Sequence, residues 1–153
     1  MGNYTALNCA FELKKDTPQT VLDILRYMAD GTGYLPPLPD HPLFACHRWR
    51  SLFTCDSYYF DDQTHTDVLF DDCTDTWYVS VRSNLKNYDG EIGKFFDWVT
   101  PYIDKMDGEF VGYHRYEQNE VPTLVFHPNR HFTPAVPKDV CPWDADRRQE
   151  KGD

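Results

Sequence analysis

The sequence predicts an α+β fold: an antiparallel sheet with two helices on one face. The element order is ferredoxin-like, β-α-β-β-α-β, with extra hairpin strands and a Pro-rich C-terminal tail. Three observations predict it. An apolar period of two opens the chain, two later stretches carry the 3.6-residue stripe of half-buried helices, and the run between them alternates like a β-meander. At 153 residues the chain has the length of one ordinary domain and can bury a core without metals or disulfides. We read residues 1–143 as that domain and 144–153 as a flexible polar tail.

Residues 5–13 predict the first strand, with Leu7, Cys9, Phe11 and Leu13 on one face and Ala6, Asn8, Ala10 and Glu12 on the other. Thr17-Pro18 opens a helix, a capping hydroxyl followed by a proline that has no N–H to waste at the first helical position. Val21, Ile24, Leu25 and Met28 form its buried stripe, and Gly31 ends it in the left-handed conformation. Four prolines, at 36, 37, 39 and 42, make the following loop. Residues 43–55 fit either a short helix or an irregular strand.

The meander runs from 56 to 82, with strands expected at 58–60, 68–70 and 77–82. In the last of these Trp77, Val79 and Val81 share one face, and Tyr78, Ser80 and Arg82 the other. A second helix is predicted over 89–103, with Asp89 as N-cap and Ile92, Phe95, Phe96 and Val99 as its stripe. Strands at 109–116 and 121–126 follow, Pro122 marking the latter as an edge. In the 109–116 strand, simple alternation places Val111, Tyr113 and Arg115 opposite Phe110, Gly112, His114 and Tyr116. Residues 127–153 read as an extended, proline-punctuated tail, with Phe132, Val136, Val140 and Trp143 available to pin it to the body. Right-handed crossovers make the sheet with both helices on one face the simplest packing.

Twenty-five acidic against 15 basic side chains give a net charge of −10. That field repels nucleic acid and anionic membrane and favours basic partners or cations. No stretch is long and apolar enough for a bilayer span, and the N-terminus lacks a signal peptide's basic region and apolar core. Five cysteines, at 9, 46, 55, 73 and 141, show neither a CxxC pair nor a disulfide framework, which suits a reduced, cytoplasmic setting.

The sharpest compositional signal is acidic. Asp61, Asp62, Asp67, Asp71, Asp72 and Asp75 crowd the meander together with Asp56. Such residues serve as turn formers, as a negative patch for a basic partner, or as oxygen ligands for a divalent cation, although the spacing is not that of an EF-hand. His127 and His131 stand in H-P-N-R-H, where Pro128 and Asn129 favour a turn over the helix that zinc-binding i, i+4 histidines need. No GxSxG elbow or phosphate-binding loop is present, and no Cys/His set has zinc spacing.

We therefore expect no catalytic residues, no metal and no cofactor. The expected function is a non-catalytic protein-interaction domain using the acidic meander and an aromatic sheet face, on another protein or on a second copy of itself. The binding candidates are Arg48, Trp49 and Arg50 of the H-R-W-R run, together with Tyr78, Arg82, Tyr113, His114 and Arg115, which join aromatic rings to cationic groups. The alternative is a small ligand-binding domain or enzyme, whose pocket between the sheet and the Pro-rich segments would be lined by Arg48, Arg50, Arg82, His114 and Arg115.

Overall fold

The computed structural model describes residues 3–31, 33–57, 60 and 63–136. The expected strand at 58–60 falls largely outside them, as do Asp61, Asp62, Val140, Trp143 and the polar tail; Phe60 itself sits in a bend. Six antiparallel strands form one open sheet in the order β2-β3-β1-β4-β5-β6. They are β1 (Thr5–Glu12), β2 (His65–Asp71), β3 (Thr76–Leu85), β4 (Phe110–Tyr116), β5 (Thr123–Phe126) and β6 (Arg130–Phe132). Helix α1 (Gln19–Asp30) lies in the connection from β1 to β2, and α3 (Glu91–Val99) in that from β3 to β4. A single-turn helix, α2 (Pro42–Ala45), and a 3-10 turn (His47–Ser51) occupy the segment that the sequence left ambiguous. No described helix is long and apolar enough to cross a membrane.

Leu7, Cys9 and Phe11 of β1, Val79, Val81 and Leu85 of β3, and Val125 of β5 share one buried cluster with the apolar faces of α1 and α3. Both helices therefore cover the same side of the sheet. In β1 the buried residues alternate with Ala6, Asn8, Ala10 and Glu12, which are half-buried or exposed, as the period of two requires. On α1, Val21, Leu22, Ile24, Leu25 and Met28 are buried, and Gly31 takes φ 73° while its N–H donates to the Tyr27 carbonyl. On α3, Ile92, Phe95, Phe96, Trp98 and Val99 are buried, Phe95 edge-on to Phe53 at 5.2 Å.

Several local expectations are corrected. The Thr17 hydroxyl does not cap α1; it donates to the Lys14 carbonyl, and Pro18 occupies the cap position. Asp89 does not cap α3: its own N–H is held by Glu91 Oε1, and Asn87 Oδ1 accepts from the Ile92 N–H. The helix stops at Val99 and finishes as a 3-10 turn over Thr100–Tyr102, because Pro101 lacks the N–H that would continue it. Pro122 does not mark an edge. It precedes β5, so it costs no ladder bond, and β5 is paired on its far side by β6, in what was read as tail. Phe132, expected to pin that tail, is 59 % exposed.

Candidate functional site

Strand register decides what the side of the sheet away from the described helices presents, because directly opposed residues share a face. Tyr113 stands opposite Asn8 on one side and Leu124 on the other, and Leu124 stands opposite Phe132. Asn8 lies on the face of β1 opposite the buried Leu7 and Cys9, so Tyr113, Leu124 and Phe132 share that face too. A register shift between Phe110 and Gly112 adds Phe110 to this row, where it meets Phe126 at 5.7 Å. This corrects the alternation read from sequence: the bulge turns Phe110 to the Tyr113 side and leaves Val111 in the core. Five apolar or aromatic side chains thus lie together over β4, β5 and β6, with Phe110 49 % and Phe132 59 % exposed.

The other half of the open face is more polar. Tyr78, Ser80 and Arg82 of β3 stand opposite Leu69, Asp67 and His65 of β2. The His65 imidazole lies 2.7 Å from the Asp67 carboxylate. Arg82 also stands opposite Asn8, and Arg115 opposite Ala6, which places Tyr78, Arg82, Tyr113 and Arg115 on one surface. The Arg115 guanidinium stacks 5.1 Å from the Phe60 ring and donates to the Asn119 carbonyl. Between these strands Asn84 is buried against the incoming loop. Asp56 Oδ1 accepts from the Asn84 amide, the Thr64 hydroxyl and the Ser57 N–H. Those bonds, the Thr64 hydroxyl foremost, hold the Asp56 carboxyl below its ordinary value.

The H-R-W-R run does not join that surface. Trp49 is 3 % exposed and packs edge-on to Phe44 at 5.0 Å, so it is a core residue. Arg50 donates to the Tyr27 hydroxyl and lies over the Trp49 ring, and Arg48 lies over Tyr88. Among the described residues, aromatic faces and the Tyr27 hydroxyl take up these two charges. The acidic residues also separate. Asp67 is mid-strand and Asp71 is the last residue of β2, whereas Asp72 and Asp75 belong to the β2–β3 turn, where Asp71 accepts from the Cys73 N–H and Asp75 takes φ 56°.

His114 points the other way. It stands opposite Leu7 and Thr123, on the helix-covered side. It lines a cleft of about 270 Å³ with Asn3, Thr5, Asn87, Tyr88, Tyr116, Asn119, Val121 and Thr123, a wall without a charged side chain. Its Nε2 is 3.0 Å from His131 Nδ1, and His131 Nε2 is 2.8 Å from Asn129 Oδ1. The network assigns the tautomers: His131 Nε2–H donates to Asn129, His114 Nε2–H donates to His131, and His114 Nδ1 is left as an acceptor. Burial, aided by the His131 charge, pushes the His114 pKa down to about 4. The sequence signal for this pair was H-P-N-R-H itself, since a turn at Pro128-Asn129 returns His131 along β5. Arg48, Arg50, Arg82 and Arg115 do not line this cleft.

Set against family models, curated proteins and solved structures, the chain matches none.

Proposed function

We propose that the protein is a non-catalytic interaction domain that docks a second copy of itself through the open face of its sheet. The observation that carries this reading is the row Phe110, Tyr113, Leu124, Phe126 and Phe132, set by strand pairing on the side away from the core. A contiguous apolar surface left in water costs free energy, and large exposed patches mark docking sites. The face is also suited to a two-fold partner. Asp67 and Leu69 lie at its β2 edge, while Arg115 and Arg130 lie on strands beyond β1, so an antiparallel copy sets unlike charges against each other. Apolar burial must outweigh the repulsion of two chains of net charge −10. The strand order β2-β3-β1-β4, with a helix in each crossover, supports a ferredoxin-like core to which β5 and β6 are added. A cytoplasmic setting accords with the free state of Cys9, Cys46, Cys55 and Cys73.

Light scattering tests the proposal. The expected result is a mass twice the 18.0 kDa chain that persists at high salt and reverts to monomer in Phe110→Glu/Phe132→Glu. A wild-type monomer at both low and high salt would sink it.

The uncharged cleft around His114 favours a second reading, a site for a small neutral ligand that donates a hydrogen bond to His114 Nδ1. NMR titration with N-acetylglucosamine and adenosine, read at the His114 ring, tests it; an unmoved ring resonance with both removes it.

A further inference from the structure

Cys46 sits where α2 meets the 3-10 turn, and it is 5 % exposed. Its Sγ lies 3.4 Å from Nζ of Lys94, on α3. The carbonyl oxygens of Pro42 and Asp89 lie 3.6 Å and 4.0 Å from the same sulfur. None of the described carboxylates forms an ion pair with Lys94, although acidic side chains outnumber basic ones 25 to 15. Three chain segments thus converge on one sulfur, and the lysine that reaches it has that sulfur as its polar partner. The described cysteines are all free, so this thiol has an amine rather than a second thiol beside it.

We propose that Cys46 and Lys94 are a modification site at which a peroxide drives formation of a covalent sulfur–nitrogen bridge. In the first step the Cys46 sulfur attacks hydrogen peroxide. The O–O bond breaks, one oxygen remains on sulfur as the sulfenic acid, the other leaves as water, and the sulfur has given up two electrons. Lys94 then releases a proton to solvent, and its nitrogen lone pair attacks the sulfenic sulfur. The S–N bond forms, the S–O bond breaks, and the departing hydroxide takes a proton from nitrogen and leaves as the second water. The product is a sulfenamide lighter than the starting pair by two hydrogens. Sulfenic acids condense with thiols or with nearby nitrogen, and the choice follows from which nucleophile is held against them. The flexible lysine stem supplies the remaining approach without moving either backbone segment.

The bridge would tie the α2 and 3-10 segment to α3 and constrain the unfolded chain as a disulfide does, so the oxidised protein should melt at a higher temperature. A thiol reductant would reverse it, returning the free thiol and the free amine.

The test is peptide mapping by mass spectrometry of the full chain after hydrogen peroxide treatment. The expected result is a linked pair of peptides containing Cys46 and Lys94, lighter by two hydrogens than their sum and separated by dithiothreitol. In Lys94→Arg, which keeps the charge, Cys46 should instead accumulate as a sulfenic acid trapped by dimedone, and the gain in Tm on oxidation should vanish. Dimedone labelling of wild-type Cys46 at the level seen in Lys94→Arg would overturn the proposal. So would full acetylation of Lys94 after peroxide treatment, or a Cys46 that stays unmodified while the exposed Cys73 is consumed.

Discussion

The imidazoles of His114 and His131 meet across β5, Nε2 to Nδ1 at 3.0 Å, and so join β4 to β6 through side chains as well as through the ladder. Both are held below the ordinary histidine value of 6.5, His114 at about 4, chiefly by burial. The unfolded chain therefore binds more protons than the fold between about pH 6.5 and about pH 4. The pair's contribution is intact above 6.5 and is lost as pH falls through that window. Urea unfolding of the wild type should lose more stability on acidification from pH 7 than the His114→Gln/His131→Gln variant does. Equal slopes would contradict this. Asp56 acts lower down: its depressed carboxyl adds stability above the ordinary 3.8 that disappears as pH falls further.

Gly112 lets β4 approach β1. A Cβ there would meet the backbone oxygen of Asn8 and lie 2.6 Å from Cys9 Cα, in a packed part of the sheet. Gly112→Ala should cost about 1–3 kcal/mol, the usual penalty of overpacking, measured as a lower urea midpoint at unchanged m-value. A neutral result would mean that the two strands can separate freely.

Trp49→Ala separates packing from recognition. With Trp49 buried against Phe44, the substitution should cost about 3–5 kcal/mol in chemical unfolding. A wild-type unfolding curve combined with lost binding would restore the exposed role that its cationic neighbours suggest in sequence.

Asn87→Ala removes the carbonyl that accepts from the Ile92 N–H at the start of α3. The expected loss is about 1 kcal/mol, with faster hydrogen exchange at the Ile92 amide. Asp89→Ala should leave that amide's protection unchanged, since Asp89 contributes its backbone rather than its carboxylate there.

Long periodic segments are legible in the sequence alone. The stripes Val21-Ile24-Leu25-Met28 and Ile92-Phe95-Phe96-Val99 are buried as their spacing requires, and so are the alternating apolar residues of β1 and Val79 and Val81 of β3, while Trp77 is half-buried. What escaped was set by tertiary pairing. The sequence predicts strand β2 only at 68–70; its first residues, His65 to Asp67, include a poor strand former in Asp67 and join the strand because they pair with Arg82 to Ser80 of β3. Strand β6 has three residues, too few for a period, and depends on the turn at Asn129, whose φ is 70°. The bulge at Phe110 shifted one aromatic ring to the other face, and no one-residue pattern announces such a shift. Trp49 misled because cationic neighbours suggest a surface, whereas in a 3-10 turn the residue between two arginines turns inward.

The most direct test of the docking face is an isotope-filtered NOE experiment on a mixture of labelled and unlabelled protein. The account predicts intermolecular contacts from the rings of Phe110, Tyr113 and Phe132 to the open faces of β1 to β6 in the second copy. Intermolecular contacts confined to the outer surfaces of α1 and α3, or none at millimolar concentration, would contradict it.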